Sequence, residues 1–140
     1  GILSVTPYYN KPTQEGLYQH YKAIAASTRL PIIVYSVQGR TGINVEPATL
    51  ARLAAIPNVI GVKEASGNIG QMANVVHQAP EDFIVLSGDD AITIPLMALG
   101  GRGKHLGQGQ RRQCQVPPAS MRIVRPPRFA SEVIDSHVAA

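Results

Sequence analysis

Tryptophan is absent from this 140-residue sequence, phenylalanine occurs twice and cysteine once. A lone Cys114 closes no internal disulfide and builds no cysteine metal cluster, so nothing implies an oxidising compartment. The four histidines, His20, His77, His105 and His137, stand too far apart to propose a metal site. No apolar run reaches the roughly 18 to 20 residues of a membrane span, and Gly1-Ile2-Leu3 lacks the charged start of a signal peptide. The sequence therefore reads as soluble and cytoplasmic, with no membrane partner. Its 44% hydrophobic and 16% charged residues are a globular balance that supports one core.

Excess charge of one sign is also missing from most of the chain. Residues 1–103 hold seven Lys and Arg against seven Asp and Glu, whereas 104–140 hold six against two, which is the whole net +4. Phe129 is the only aromatic in that basic tail. Without interleaved rings to stack bases, the basicity gives no support to nucleic-acid binding.

What is present over 1–103 is alternation of short apolar runs with longer amphipathic stretches, the pattern of βα units around a parallel sheet. Four strands are predicted: Ile2 to Val5, Pro31 to Tyr35, Val59 to Lys63 and Phe83 to Leu86. Between them lie a helix over Gln14 to Ser27 with Leu17, Tyr21, Ile24 and Ala25 inward, and one from Pro47 to Ala55 with Leu50, Leu53 and Ala54 inward. Ser66 to Asn68 supplies cap residues for a helix carrying Met72, Val75 and Val76. Asp89-Asp90 suits the start of a last helix, which ends at Ala98-Leu99-Gly100-Gly101. Ser36 to Asn44 reads as a loop. A further strand is due after Gly101, but none is expected in the residues that follow, and Pro117-Pro118 and Pro126-Pro127 interrupt a tail of no sustained period. The expected organisation is an α/β domain over 1–103 and a poorly ordered tail over 104–140.

In parallel α/β folds, reactive groups collect where strands end, because the following loops share one face. Lys63 closes Val59-Ile60-Gly61-Val62 and by strand alternation shares a face with Val59 and Gly61, positions expected to point inward in a barrel. An amine taken out of water keeps more of its neutral form, which attacks a carbonyl to give a Schiff base. The same residue could also be a strand-end lysine whose head reaches solvent. Gly61 leaves room for a ligand or a neighbouring backbone. Tyr35 closes the preceding strand as Lys63 closes its own, which sets a phenol beside the amine as a proton relay or as a locally satisfied core aromatic. Arg40, between Gly39 and Gly42, is placed to grip a carboxylate or to stand in solvent. Gly88 and Asp89 offer backbone N–H groups to an anion, or Asp89 caps a helix. Tyr8 and Tyr9, on a loop braced by Pro7 and Pro12, suit catalysis or packing against a partner subunit.

Together Val5-Thr6-Pro7-Tyr8-Tyr9-Asn10-Lys11-Pro12, Tyr35 with Arg40-Thr41-Gly42, Ile60-Gly61-Val62-Lys63-Glu64-Ala65-Ser66-Gly67 and Leu86-Ser87-Gly88-Asp89-Asp90 resemble the dihydrodipicolinate synthase family of pyruvate-dependent class I aldolases. The resemblance implies part of a (β/α)8 TIM barrel, strands four to seven, in which Lys63 forms an imine with pyruvate and no separate cofactor is used. It implies that Tyr35 relays protons, that Tyr9 is lent to a neighbouring subunit's site in a homo-oligomeric tetramer or dimer, and that Arg40 holds the carboxylate of aspartate semialdehyde. Relatives of the N-acetylneuraminate lyase type share the lysine and tyrosine but usually not this arginine. The loop after Tyr35 departs from the family, with Ser36 and Gln38-Gly39 where an asparagine and, two residues later, a proline are usual.

By the same resemblance the first three barrel strands, with the loop that binds the pyruvate carboxylate, lie outside this sequence, and the Val-Ile-Ser-Val-like run of an eighth strand, due after Gly103, does not follow. The chain then reads either as an enzyme segment or as a catalytically dead fragment. A shifted reading frame explains the tail: if His105-Leu106-Gly107 is encoded CAT CTC GGT, reading from the second base spells Ile, Ser and the start of a valine codon. The nucleotide sequence across this point is expected to restore the family's strand in another frame. Nonsense in all frames sinks the idea.

Overall fold

Runs of β-branched residues such as Ile32-Ile33-Val34 stiffen the chain towards extended backbone, and in this protein each run pairs with the one before it. In the computed structural model, which describes residues 1–104, five strands form one sheet: β1 Ile2–Val5, β2 Ile32–Ser36, β3 Val59–Glu64, β4 Ile84–Ser87 and β5 Gly103–Lys104. All are parallel, and their spatial order is their order in the chain. Sequential parallel order without reversal is the winding of a (β/α) barrel, whereas a doubly wound sheet reverses at a switch point.

The connections are α1 Gln14–Ser27, the single turn α2 Gln38–Thr41, α3 Pro47–Ala54, α4 Ile69–Gln78 and α5 Thr93–Ala98. Local chemistry sets their starts. The Thr13 side chain accepts from the Gly16 N–H at 3.2 Å, Pro47 opens α3, and the Asn68 side chain accepts from the Gln71 N–H at 3.0 Å. At the other end of α1, the Asn58 amide donates to the Ala25 and Thr28 carbonyls at 3.0 and 2.9 Å, tying that helix end to the start of β3.

One core lies between the helices and a single face of the sheet. Leu17, Tyr21 and Ala25 of α1, Leu50 and Leu53 of α3, Met72 and Val75 of α4 and Leu96 of α5 meet Ile32, Val34, Val62 and Val85. Each large aliphatic side chain so enclosed contributes about 1.5–3 kcal/mol. The Tyr21 hydroxyl, carried into this core, donates to the Ser4 carbonyl at 3.0 Å. The opposite face carries Leu3, Val5, Ile33, Tyr35, Gly61, Lys63, Ile84 and Leu86 by strand register and stays open among the described residues. Leu3 is 40% and Val5 42% exposed. No helix among the described residues is long and apolar enough to cross a membrane.

The strands are those predicted, with β2 and β4 each starting and ending one residue later and β3 running on to Glu64. Three expectations are corrected. The loop 36–44 contains α2, which closes because Gly42 takes a left-handed φ of 69° and donates its N–H to the Gln38 carbonyl. Val59 does not share the face of Lys63: the β2–β3 ladder skips Ile60, so Val59 sits opposite Ile32 in the helix-side core. Finally, a strand does follow Gly101. The Arg102 N–H donates to the Val85 carbonyl at 2.8 Å, and Gly103 and Lys104 pair with Leu86 and Ser87. This short ladder is made by backbone groups, so it needs no apolar pattern. Of the tail expected over 104–140, Lys104 belongs to β5, and the remainder from His105 onward, with the shifted frame, lies outside the described residues.

Gly61 makes room for backbone, not for a ligand: a Cβ there would stand 2.5 Å from the Ile84 carbonyl oxygen on the neighbouring strand. Gly61→Ala is expected to destabilise the fold by about 1–3 kcal/mol through this overlap. Thermal unfolding followed by circular dichroism checks it, and an unchanged midpoint contradicts the geometry.

Candidate active site

Strand alternation and register together build the site. Tyr35 and Lys63 occupy paired positions on β2 and β3, both on the sheet face away from the helices. Their side chains meet there, with the Lys63 Nζ 4.1 Å from the centroid of the Tyr35 ring. The contact is with the π face, which attracts a cationic head group. Lys63 is half-buried, not enclosed as its expected inward position implied, because its sheet face is open.

Gly88 stands where a side chain would collide with Ala65 and crowd the Lys63 stem. A Cβ there would meet the Ala65 Cβ at 2.6 Å and the Lys63 Cε at 3.3 Å. The expected anion-binding use of its N–H is corrected, since that group donates to the Glu64 carbonyl at 2.7 Å as part of the ladder. The Asp89 N–H is likewise turned to the Ser87 hydroxyl at 3.2 Å, and the Asp89 carboxylate accepts from the Ala91 N–H at 3.0 Å. Gly88 thus gives the lysine stem its space.

Arg40 lies in the last turn of α2, directly after β2, and is exposed. Its turn is pinned from below: buried Thr6, at the end of β1, donates to the Thr41 hydroxyl at 3.2 Å, and Thr41 bonds within its own turn to Val37 and Ile43. Tyr9, in the loop after β1, is 89% exposed and Tyr8 68%. The structure thus joins Tyr35 to Lys63 at the strand ends. Arg40 and Tyr9 stand on the loops that follow β2 and β1 at that same end of the sheet.

Sequence reasoning met Glu64 as the residue after Lys63 in the family motif and gave it no role. It is fully buried on the helix side of β3. Its Oε1 accepts from the Ser66 N–H at 2.9 Å and from the Gln71 amide at 3.4 Å, while Oε2 has no partner among the described residues. Burial pushes the carboxyl above its ordinary value, against the opposing pull of the Ser66 and Gln71 hydrogen bonds. The signal was available in the alternation: if Lys63 faces one way, Glu64 must face the other, into the layer of Val62. Among the described residues no three His, Cys, Asp or Glu side chains gather as metal ligands would.

Sequentially wound parallel strands, helices on one face, and a lysine and tyrosine side by side at the strand ends define a section of a (β/α)8 barrel, seen at the end where such barrels carry their active sites. A model of the dihydrodipicolinate synthetase family matches residues 1–105, and the chain belongs to that family. It is 58% identical over 103 residues to a 4-hydroxy-tetrahydrodipicolinate synthase of Syntrophus aciditrophicus, covering 74% of this chain and 35% of that protein. The crystal structure of dihydrodipicolinate synthase from Thermotoga maritima matches with a TM-score of 0.73 and 53% identity, over 79% of this chain and 38% of that one. That of the chloride-inhibited Acinetobacter baumannii enzyme complexed with pyruvate matches with a TM-score of 0.72 and 50% identity, over 75% and 36%. The sequence thus spans about a third of the length of these relatives.

The Glu64 carboxyl makes a prediction about pH. Its folded-state value is raised above the ordinary 4.5, so in the window between the two the native state binds more protons than the unfolded state, and stability falls as pH rises through that window. The melting temperature is expected to decline upward from about pH 4.5, and Glu64→Gln is expected to flatten that decline. Parallel slopes for the two proteins would contradict the assignment.

Proposed function

We propose that this chain carries the Schiff-base section of a 4-hydroxy-tetrahydrodipicolinate synthase, the lyase that condenses pyruvate with aspartate semialdehyde in lysine biosynthesis through diaminopimelate. The observation that carries the reading is the Lys63 amine lying against the Tyr35 ring at the strand ends of a sequentially wound parallel sheet. In this reading the Lys63 Nζ attacks the ketone carbon of pyruvate and water leaves, giving an imine whose methyl carbon can lose a proton and attack the aldehyde. No cofactor is needed, since the protonated imine itself withdraws electrons.

Tyr35, beside the amine, serves as the proton relay that brings water out and protons in. Arg40, fixed on the turn held by Thr6 and Thr41, offers two parallel N–H groups to the semialdehyde carboxylate and favours this substrate over a sugar acid. Tyr9, almost fully exposed, is the group offered to a neighbouring copy in a homo-oligomer, and Gly88 keeps the lysine stem free to move. The setting proposed is the cytoplasm. The pyruvate bound by the Acinetobacter relative supports pyruvate as the first substrate.

Incubation of the chain with pyruvate and borohydride is expected to leave a reduced adduct on Lys63, located by peptide mass spectrometry. Lys63→Met should abolish it, and Tyr35→Phe should slow it by roughly 10²-fold or more. An unmodified Lys63 in a folded sample removes the Schiff-base assignment. The sheet, open among the described residues, favours a second expectation, that the 140-residue chain alone forms the adduct without sustained condensation, because the five described strands do not close a barrel. Measurable turnover of both substrates overturns that statement.

A further inference from the structure

We infer that Glu64 is a positioning residue of this site, tying from behind the sheet the strand that carries Lys63 to the turn that carries Arg40. The inference rests on the roles proposed above for Lys63 and Arg40. Its geometry is a continuous run of hydrogen bonds along the tops of the strands. Glu64 Oε1 accepts from the Ser66 N–H, which fixes the chain two residues beyond the strand end, and from the Gln71 side chain. The Gln71 amide faces that of Asn44 in a reciprocal pair, the Asn44 Nδ2 donating to Gln71 at 2.7 Å and the Gln71 Nε2 donating to Asn44 at 2.9 Å. Asn44 lies three residues past α2. Its carbonyl in turn accepts from the Gln14 amide at 2.8 Å, and the Gln14 Oε1 accepts from the Glu46 N–H at 3.1 Å. Gln14 opens α1, just after the loop of Tyr9. One buried carboxyl thus anchors a line that passes behind all three loops in question.

Stability does not account for a carboxyl at this position. Its ladder neighbours Ser36 and Ser87 are buried and uncharged, no cation is paired with it among the described residues, and Oε2 is orphaned. A buried polar atom without a partner costs stability, and an apolar side chain of the same size would fold at least as well. What the carboxyl supplies is direction, because the Ser66 N–H and the Gln71 amide are bonded in place and not merely packed. Small displacements matter at such a site: a shift of about 1 Å in a reacting group costs on the order of 10²-fold in rate.

The test compares Glu64→Met and Glu64→Gln in the full chain. Glu64→Met keeps the volume and removes the acceptor; it is expected to melt no lower than wild type at neutral pH, yet to trap pyruvate with borohydride at least tenfold more slowly. Glu64→Gln keeps an oxygen for the Ser66 N–H and is expected to trap within about twofold of wild type. A role in filling space alone predicts the reverse, with Met equal to wild type, and that result overturns the inference. Amide hydrogen exchange over residues 37–46 separates this proposal from the Schiff-base assignment, because it needs no adduct. Faster exchange there in Glu64→Met, with exchange in α1 unchanged, supports the tie even if wild type fails to trap pyruvate, whereas exchange at the wild-type rate refutes it. Should Glu64→Met fail to fold, Gln71→Leu cuts the same line from its half-buried side and carries the same two expectations for 37–46.

Discussion

A parallel sheet wound in one direction sends its crossover helices to one face, and that constraint orders the rest of this molecule. Because α1, α3, α4 and α5 cover one side, each strand must give alternate residues to a dry core and to an open face. Ile32, Val34, Val62 and Val85 go one way; Ile33, Tyr35, Lys63 and Leu86 go the other. The chemistry proposed for this chain stands on the second set, and the packing that holds it stands on the first.

The two faces are not independent at the strand ends. Lys63 and Glu64 are consecutive, so the amine and the carboxyl point to opposite sides of one strand and cannot meet. The amine finds the Tyr35 ring, and the carboxyl finds Ser66 and Gln71. Glycines let the strands approach closely enough for this. Gly61 admits the Ile84 carbonyl, and Gly88 leaves space for the lysine stem while its N–H continues the ladder. Backbone requirements and side-chain clearance therefore coincide at Gly88, which is why a glycine read as an anion-binding donor proves to be a spacer.

Legibility in the sequence tracked how local the governing physics was. Helices with a side-chain cap or an initial proline and a clear apolar stripe were readable: α1 and α3 to within a residue at their ends, and α4 by its cap segment and inner residues. So was the pairing of Tyr35 with Lys63, since both close β-branched runs. The single-turn α2 was not readable, because one turn carries no periodicity and depends on the left-handed Gly42. The displacement of Val59 from the lysine's face was hidden for a similar reason: a ladder that skips one residue reverses the alternation without any mark in composition.

By itself the sequence determined the alternation of strand and helix, the chemical types at the strand ends and the family, because each is written in neighbouring residues or short motifs. Only the tertiary structure decided that the amine rests on the tyrosine ring, that a fifth strand begins at Gly103, and that Glu64 turns inward to join Gln71 and Asn44. Those outcomes depend on register and on contacts between residues far apart in the chain. Two strands must lie side by side before either has a partner to meet.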